Sequence, residues 1–328
     1  MKYLVLLTAF LITSSTIKAS KIKLPERVEF ASLEKGQELI GKSDVYTQGL
    51  SKFDFASKTG KPGAIEEDYL AHAKGEVLEW KAKEIERYTE VLEELEEALD
   101  AAIGVKFNLP KTIYLVKTTA DEEGGAAGYT RGAYIVVGQS RAKDSAKDVK
   151  DFMLHELFHI ISRFNPELRQ SLYNVIGFTV VNEIELPKKT ADFIISNPDA
   201  PILDSYINIA DNRGKYRKAG MIIYSDEKYE KGSFFDYLKI GFVELEEKDG
   251  TWVAKTDPDN PDKAMVFELR NFIKGLVEQA GRNTEYIIDP EEILAENFVL
   301  AVLDNKAVPN PEIVKEIQSI LKGTKVEF

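Results

Sequence analysis

Cysteine is absent from the 328 residues. That excludes disulfides, a thiol nucleophile and every thiolate metal ligand. It also excludes a lipoprotein anchor, which needs a cysteine at the signal cleavage site. Histidine is almost as scarce, with three in the whole chain, His72, His155 and His159. A surplus of positive charge is missing as well. Lys and Arg number 43 against 55 Asp and Glu, for a formal net charge of −12. Phosphate backbones are repelled by such a chain, so nucleic acid is not expected as a partner. There is no internal repeat, no low-complexity tract and no apolar run long enough for a comfortable bilayer span.

What is present begins with Lys2, the apolar run Tyr3 to Ile12 and the small polar exit Thr13 to Ser20. This is the form of a bacterial secretory signal over residues 1–20, with cleavage after Ala19 or Ser20. It predicts an exported protein, periplasmic or secreted, with no stable membrane insertion once the signal is removed. The remainder, in a chain that is 44% hydrophobic and 30% charged, has the composition of a soluble globular protein with a large core.

Residues 21–62 carry Pro25, Gly36, Gly41, Gly49, Gly60 and Pro62 and read as an irregular arm wrapped on the core. Residues 64–103 read as helical, with Tyr88, Leu92, Leu95, Leu99 and Ile103 on one face. Residues 21–104 are thus an N-terminal arm and helical region, followed by a catalytic region over 105–328. Thr112–Val116 and Tyr129–Val137 read as strands around a turn at Gly124-Gly125. Ser145 with Asp148 starts a helix over about 146–164, which must stop before Asn165-Pro166. Phe178–Ile184 and Tyr206–Ile209 are further strand candidates. Asp289-Pro290-Glu291-Glu292 starts a helix over about 290–303, and Pro311–Leu321 forms the last one. The fold class is α+β.

The chemistry is concentrated in His155-Glu156-Leu157-Phe158-His159. Histidines four apart on a helix lie on one face, so both imidazoles can reach one tetrahedral ion. Glu156 projects beside the ion, where it can act as general base on a metal-activated water and then as acid to the leaving amine. From Phe152 to Ser162 no charged residue other than Glu156 interrupts the run, and a charge inside a buried apolar helix needs a function or a partner. The bland alternative is a pair of hydrogen-bonded core histidines. A third protein ligand is required. Glu292 is the first candidate, on a helix face continued by Glu296, Val299 and Leu303. Glu296, one turn on, would hold a ligating imidazole by its other nitrogen. Two rival readings stay open: Glu292 as partner of the Asp289 cap, and Glu183 as the alternative metal ligand.

These residues resemble the gluzincin zinc metallopeptidases, in which a His-Glu-x-x-His helix and a glutamate from a second helix hold zinc. Glu292, Ala295 and Glu296 look like the Glu-x-x-Ala-Asp pattern of such families, with glutamate where aspartate is usual. No histidine follows His159, so the extended metzincin motif is absent, and the lack of cysteine excludes the peptide deformylases. The resemblance implies a zincin-like fold, an N-terminal sheet over the motif helix and a more helical lobe carrying Glu292, with Zn2+ as cofactor and a peptide or protein as substrate. It also implies an edge strand that pairs with the substrate, for which Tyr129, Thr130, Arg131 and Gly132 are candidates. An oxyanion-stabilising tyrosine is the last element implied, and Tyr224 is the candidate. A catalytically inactive metal-binding scaffold that recognises a protein or polymer is the competing reading, and a non-peptidase hydrolase is a third.

Overall fold

The computed structural model describes residues 22–323; the expected signal, residues 1–20, lies outside the described residues. In chain order the helices are α1 (Leu24–Arg27), α2 (Leu33–Ile40), α3 (Val45–Gly49), α4 (Lys52–Thr59), α5 (Glu66–Gly75), α6 (Ala82–Ala102), α7 (Ala146–Phe164), α8 (Pro166–Val175), α9 (Lys188–Ala191), α10 (Ile273–Ala280), α11 (Pro290–Val302) and α12 (Pro311–Lys322). Among the described residues no helix is long and apolar enough to cross a membrane.

The first sheet contains β1 (Val28–Phe30), β2 (Val77–Leu78), β3 (Ile113–Thr118), β4 (Gly128–Arg131) and β5 (Tyr134–Gly138). Its order is β1-β3-β5-β4, with β2 also on β3. β1 and β5 run parallel to β3, and β4 closes the sheet as an antiparallel edge. The second sheet is an antiparallel meander of β6 (Phe178–Val180), β7 (Ser205–Ala210), β8 (Tyr216–Tyr224), β9 (Lys239–Lys248) and β10 (Thr251–Ala254). After a small hairpin of β11 (Thr256–Asp257) and β12 (Asn260–Ala264), β13 (Val266–Glu268) returns to β9. The architecture is α+β.

The alternation of β3 and β5 assigns two cores. Leu115, Ile135 and Val137 face the main core, built with α6, α7, α8, α11 and α12. Val116, Tyr134 and Val136 face a smaller core under the N-terminal helices, with Ile40, Tyr46 and Tyr69.

Three expectations are corrected. The described part of the expected arm, residues 22–62, is not irregular, because three of its glycines close short helices. Gly41 and Gly60 cap α2 and α4, Gly49 ends α3, and Asp44 and Ser51 open α3 and α4 with reciprocal capping hydrogen bonds. The helical stretch 64–103 is interrupted by β2, which pairs with Lys117 and Thr118 of β3. The single strand expected over 129–137 is a hairpin, β4 and β5, turned at Gly132 with φ +52°.

Candidate metal centre

The site lies where α7 packs on α11 and under the edge strand β4. Ser145 caps α7 by accepting from Asp148 N. From Phe152 on, the helix is buried almost continuously. Its four-residue repeat brings the His155 and His159 rings edge to face, with centroids 4.9 Å apart.

α11 supplies the carboxylates. Asp289 caps it by accepting from Glu291 N at 2.8 Å, so Glu292 has no capping duty. Glu292 Oε2 instead lies 2.9 Å from His155 Nε2 and 3.8 Å from His159 Nε2. Its Oε1 accepts from Asn197 Nδ2 at 2.7 Å. One turn on, Glu296 Oε1 meets His155 Nδ1 at 3.0 Å. Ligand atoms of His155, His159 and Glu292 all fall within 4.8 Å of one another. A tetrahedral ion with bonds of about 2.0–2.1 Å spaces its ligand atoms by about 3.4 Å, so a small divalent ion fits with minor adjustment.

Two observations support a cation in this cluster. His159 is fully buried, and neither ring nitrogen completes a hydrogen bond, although Glu291 Oε1 stands 3.5 Å from Nδ1. A buried imidazole left so is costly unless a nitrogen is ligating. The carboxylates of Glu156, Asp199, Glu291 and Glu292 gather around the two imidazoles in a water-poor space, a donor set with the chemistry to hold a cation.

The electrostatics divide the acids by role. Burial opposes ionisation of Glu292, but His159 and His155 outweigh it and bring its pKa to about 2, as suits a ligand. Burial, reinforced by Asp199, pushes Glu156 up to about 7. Thr130 Oγ1 donates to its Oε2 at 2.7 Å and fixes the carboxylate. A carboxyl poised near neutrality suits proton transfer. Burial disfavours the His155 cation, yet Glu292 and Glu296 raise its pKa well above the imidazole range.

Four site residues escaped sequence reasoning. Glu291 was read as part of a helix start, but α11 is buried on several faces and turns both adjacent acids inward. Glu291 Oε2 accepts from Ser162 Oγ at 3.0 Å and Tyr173 OH at 2.6 Å while Oε1 faces His159. Asn197 and Asp199 lie outside any helix or strand, where the sequence carries no periodic signal. Tyr286, with its ring 6.3 Å from His155, has no local signal at all. The residue is 45% exposed, but desolvation on the side facing the site and the charges of Glu292, Asp199 and Glu156 raise its hydroxyl above the usual range, so it stays a hydrogen-bond donor.

Other candidates lie elsewhere. Glu183 is exposed on the loop after β6, because β6 ends at Val180 and Ile184 is tied to Leu203, far from the histidines. Tyr224 ends β8, opposite Lys239, among Asp226, Glu268 and Arg270, so it is not the tyrosine beside the histidines. Of Tyr129, Thr130, Arg131 and Gly132, Thr130 faces the site. The strand's two-residue repeat sends Tyr129 to Glu122 and Arg131 to Asp44, both buried on the other side, and Gly132 forms the turn. His72 lies far along the chain beside Glu76. No protein family, curated protein or solved structure matches the chain, so its assignment rests on this geometry.

Proposed function

We propose that this chain is an exported, zinc-dependent peptidase of the gluzincin type, with a zincin-like arrangement of its first sheet, motif helix and second ligand helix. The observation that carries the reading is the convergence of His155, His159 and Glu292 on one point with Glu156 held beside it by Thr130. His155, His159 and Glu292 would hold the ion, with Glu296 and Glu291 orienting the two imidazoles from their Nδ1 sides. A bound zinc supplies a Lewis acid and a water acidified toward neutrality.

The protein's own groups do the rest. Glu156 removes a proton from the attacking water and returns it to the departing amine. Thr130 holds the carboxylate in line for both transfers. Tyr286, protonated at all working pH values, offers its hydroxyl to the carbonyl oxygen as charge develops there. A groove along the His155 side, lined by Ala127, Gly128, Phe152, Phe235, Tyr286 and Leu300, gives an extended peptide somewhere to lie.

The test is metal content followed by hydrolysis. The purified mature chain should carry about one zinc per molecule. Glu292→Ala should lose the metal and Glu183→Ala should keep it. Glu156→Gln should keep the metal and the fold while cleavage of a peptide selected by mass spectrometry from a mixed library slows by about two to four orders of magnitude. A chain purified with zinc supplied that still holds none would sink the reading. A zinc-loaded wild type that cuts no peptide would favour the non-catalytic scaffold.

A further inference from the structure

The edge strand beside the site is already engaged by the chain itself. Ala127 O accepts from Gly138 N, which sets Tyr129 and Arg131 of β4 as the residues bonded to β5. Alternation then turns the N–H and C=O of Thr130 away from the sheet. These are the groups an added peptide strand would use. Both have partners. Asp199 Oδ1 accepts from Thr130 N at 2.6 Å, and Arg163 Nη2 donates to Thr130 O at 3.4 Å. The same Arg163 holds Asp199 O at 3.1 Å, locking the segment to the strand.

Asp199 also reaches the candidate metal position. Its Oδ1 stands 3.9 Å from His159 Nε2, close to the 3.8 Å that separates Glu292 Oε2 from the same nitrogen. Asp199, Glu156 and His159 offer ligand atoms within 4.8 Å of one another. The carboxylate therefore occupies the side of the cluster where a fourth ligand and the general base meet. Its approach is built rather than incidental. Asn197 Oδ1 accepts from Asp199 N at 3.0 Å while Asn197 Nδ2 grips Glu292. Upstream, Ser196 is pinned by both oxygens of buried Asp54. Pro198 and Pro201 bracket the aspartate and limit its freedom.

We infer that Asn197–Asp199 is an internal inhibitory segment. Asp199 acts as a fourth ligand to the metal and its carboxylate takes the Thr130 N–H that a bound substrate's backbone would use, while Arg163 takes the Thr130 carbonyl, so this conformation is a latent one. The inference rests on the peptidase reading and extends it to how that site is regulated. Substrate gains the site only in the fraction of molecules whose segment has withdrawn, and apparent affinity falls by that fraction.

Cobalt-substituted protein and acetohydroxamate, a small chelating probe of an open metal position, test this without relying on activity. In Asp199→Ala the three remaining ligands should retain one metal. Its visible cobalt spectrum should differ from wild type, because one ligand has been replaced by water. Acetohydroxamate should bind at least about tenfold tighter, and peptide cleavage should rise in step. Asp199→Asn is the second variant, since its amide oxygen can still accept from Thr130 N while the anionic ligand is gone. It should shift the spectrum in the same direction if the alanine variant fails to fold. A wild type that binds no cobalt overturns the peptidase reading and the inhibitory segment with it. Cobalt bound equally, with unchanged spectrum and unchanged probe affinity in both variants, overturns only the inhibitory segment. Loss of metal and of cleavage in both variants also overturns it, and makes Asp199 a required ligand.

Discussion

Thr130 Oγ1 sits 2.7 Å from one oxygen of Glu156, inside a pocket where both residues are buried. A hydrogen bond to a buried charged group is worth about 1.5–3 kcal/mol, or about ten- to a hundredfold in rate if the reaction depends on it. Thr130→Val keeps the shape and removes the donor. It should lower kcat by about tenfold or more while leaving metal content and KM near wild type, and Thr130→Ser should restore most of the rate. Equal loss in the serine variant would show that packing, not the hydroxyl, is what matters. The residues legible beforehand share one property. His155 and His159 lie four positions apart on one helix with Glu156 beside them, and Glu292 and Glu296 repeat that spacing on another. Glu291 lies off the periodic face of α11, and Asn197, Asp199 and Tyr286 reach the site through space from segments with no periodic signal. Tyr224 and Glu183 are plausible along the chain, but Tyr224 is paired with Lys239 in the second sheet and Glu183 is exposed on the loop after β6, next to Ile184, which is bonded to Leu203.

Helices with caps were the most readable elements. α7 and α11 begin and end within a residue of their expected bounds because Ser145, Asp289 and Pro290 set their starts and Asn165-Pro166 stops the first. Strand limits were less readable, since an apolar run such as 129–137 does not say where a hairpin turns. Asn165 shows how one residue serves two elements. It ends α7 and precedes Pro166 of α8. Its Nδ2 donates to Ile161 O at 2.7 Å and Asn108 O at 2.9 Å, and its Oδ1 accepts from Asn108 N at 2.6 Å. Asn165→Ala should lower stability to urea by about 1–3 kcal/mol by removing these bonds, without changing metal content. A change within about half a kcal/mol would mean that water replaces the side chain without cost.

At the scale of the whole molecule, the N-terminal helices are held to the first sheet by buried polar groups as well as by apolar contact. Glu123 receives hydrogen bonds from Tyr46, Tyr69 and Lys58, and Arg131 pairs with Asp44. Glu122 beside them accepts from Thr118 and Tyr129 on one oxygen and has no partner on the other. Burial pushes its pKa from 4.5 up to about 7. The folded state therefore keeps a proton that the unfolded chain releases. This group's contribution to stability is present below pH 4.5 and is lost as pH rises through 7. Between those limits wild type should lose up to about 3 kcal/mol relative to Glu122→Gln, read from urea titrations at several pH values. A stability difference that stays constant with pH would refute the assignment.

The pairing of His155 with Glu292 joins positions 137 residues apart, on two helices that share the main core. In a chain without cysteine, an ion shared by those two side chains would act as a disulfide does in proteins that have one. It would shorten the loop left free when the protein unfolds. A closure of that length is worth about 5 kcal/mol of lost chain entropy at most. Stripping the ion with a chelator should therefore lower the melting temperature of the whole fold in one cooperative step, instead of loosening only the cleft, and zinc added back should restore it. An ion held there would thus cross-link the two helices as well as sit beside Glu156.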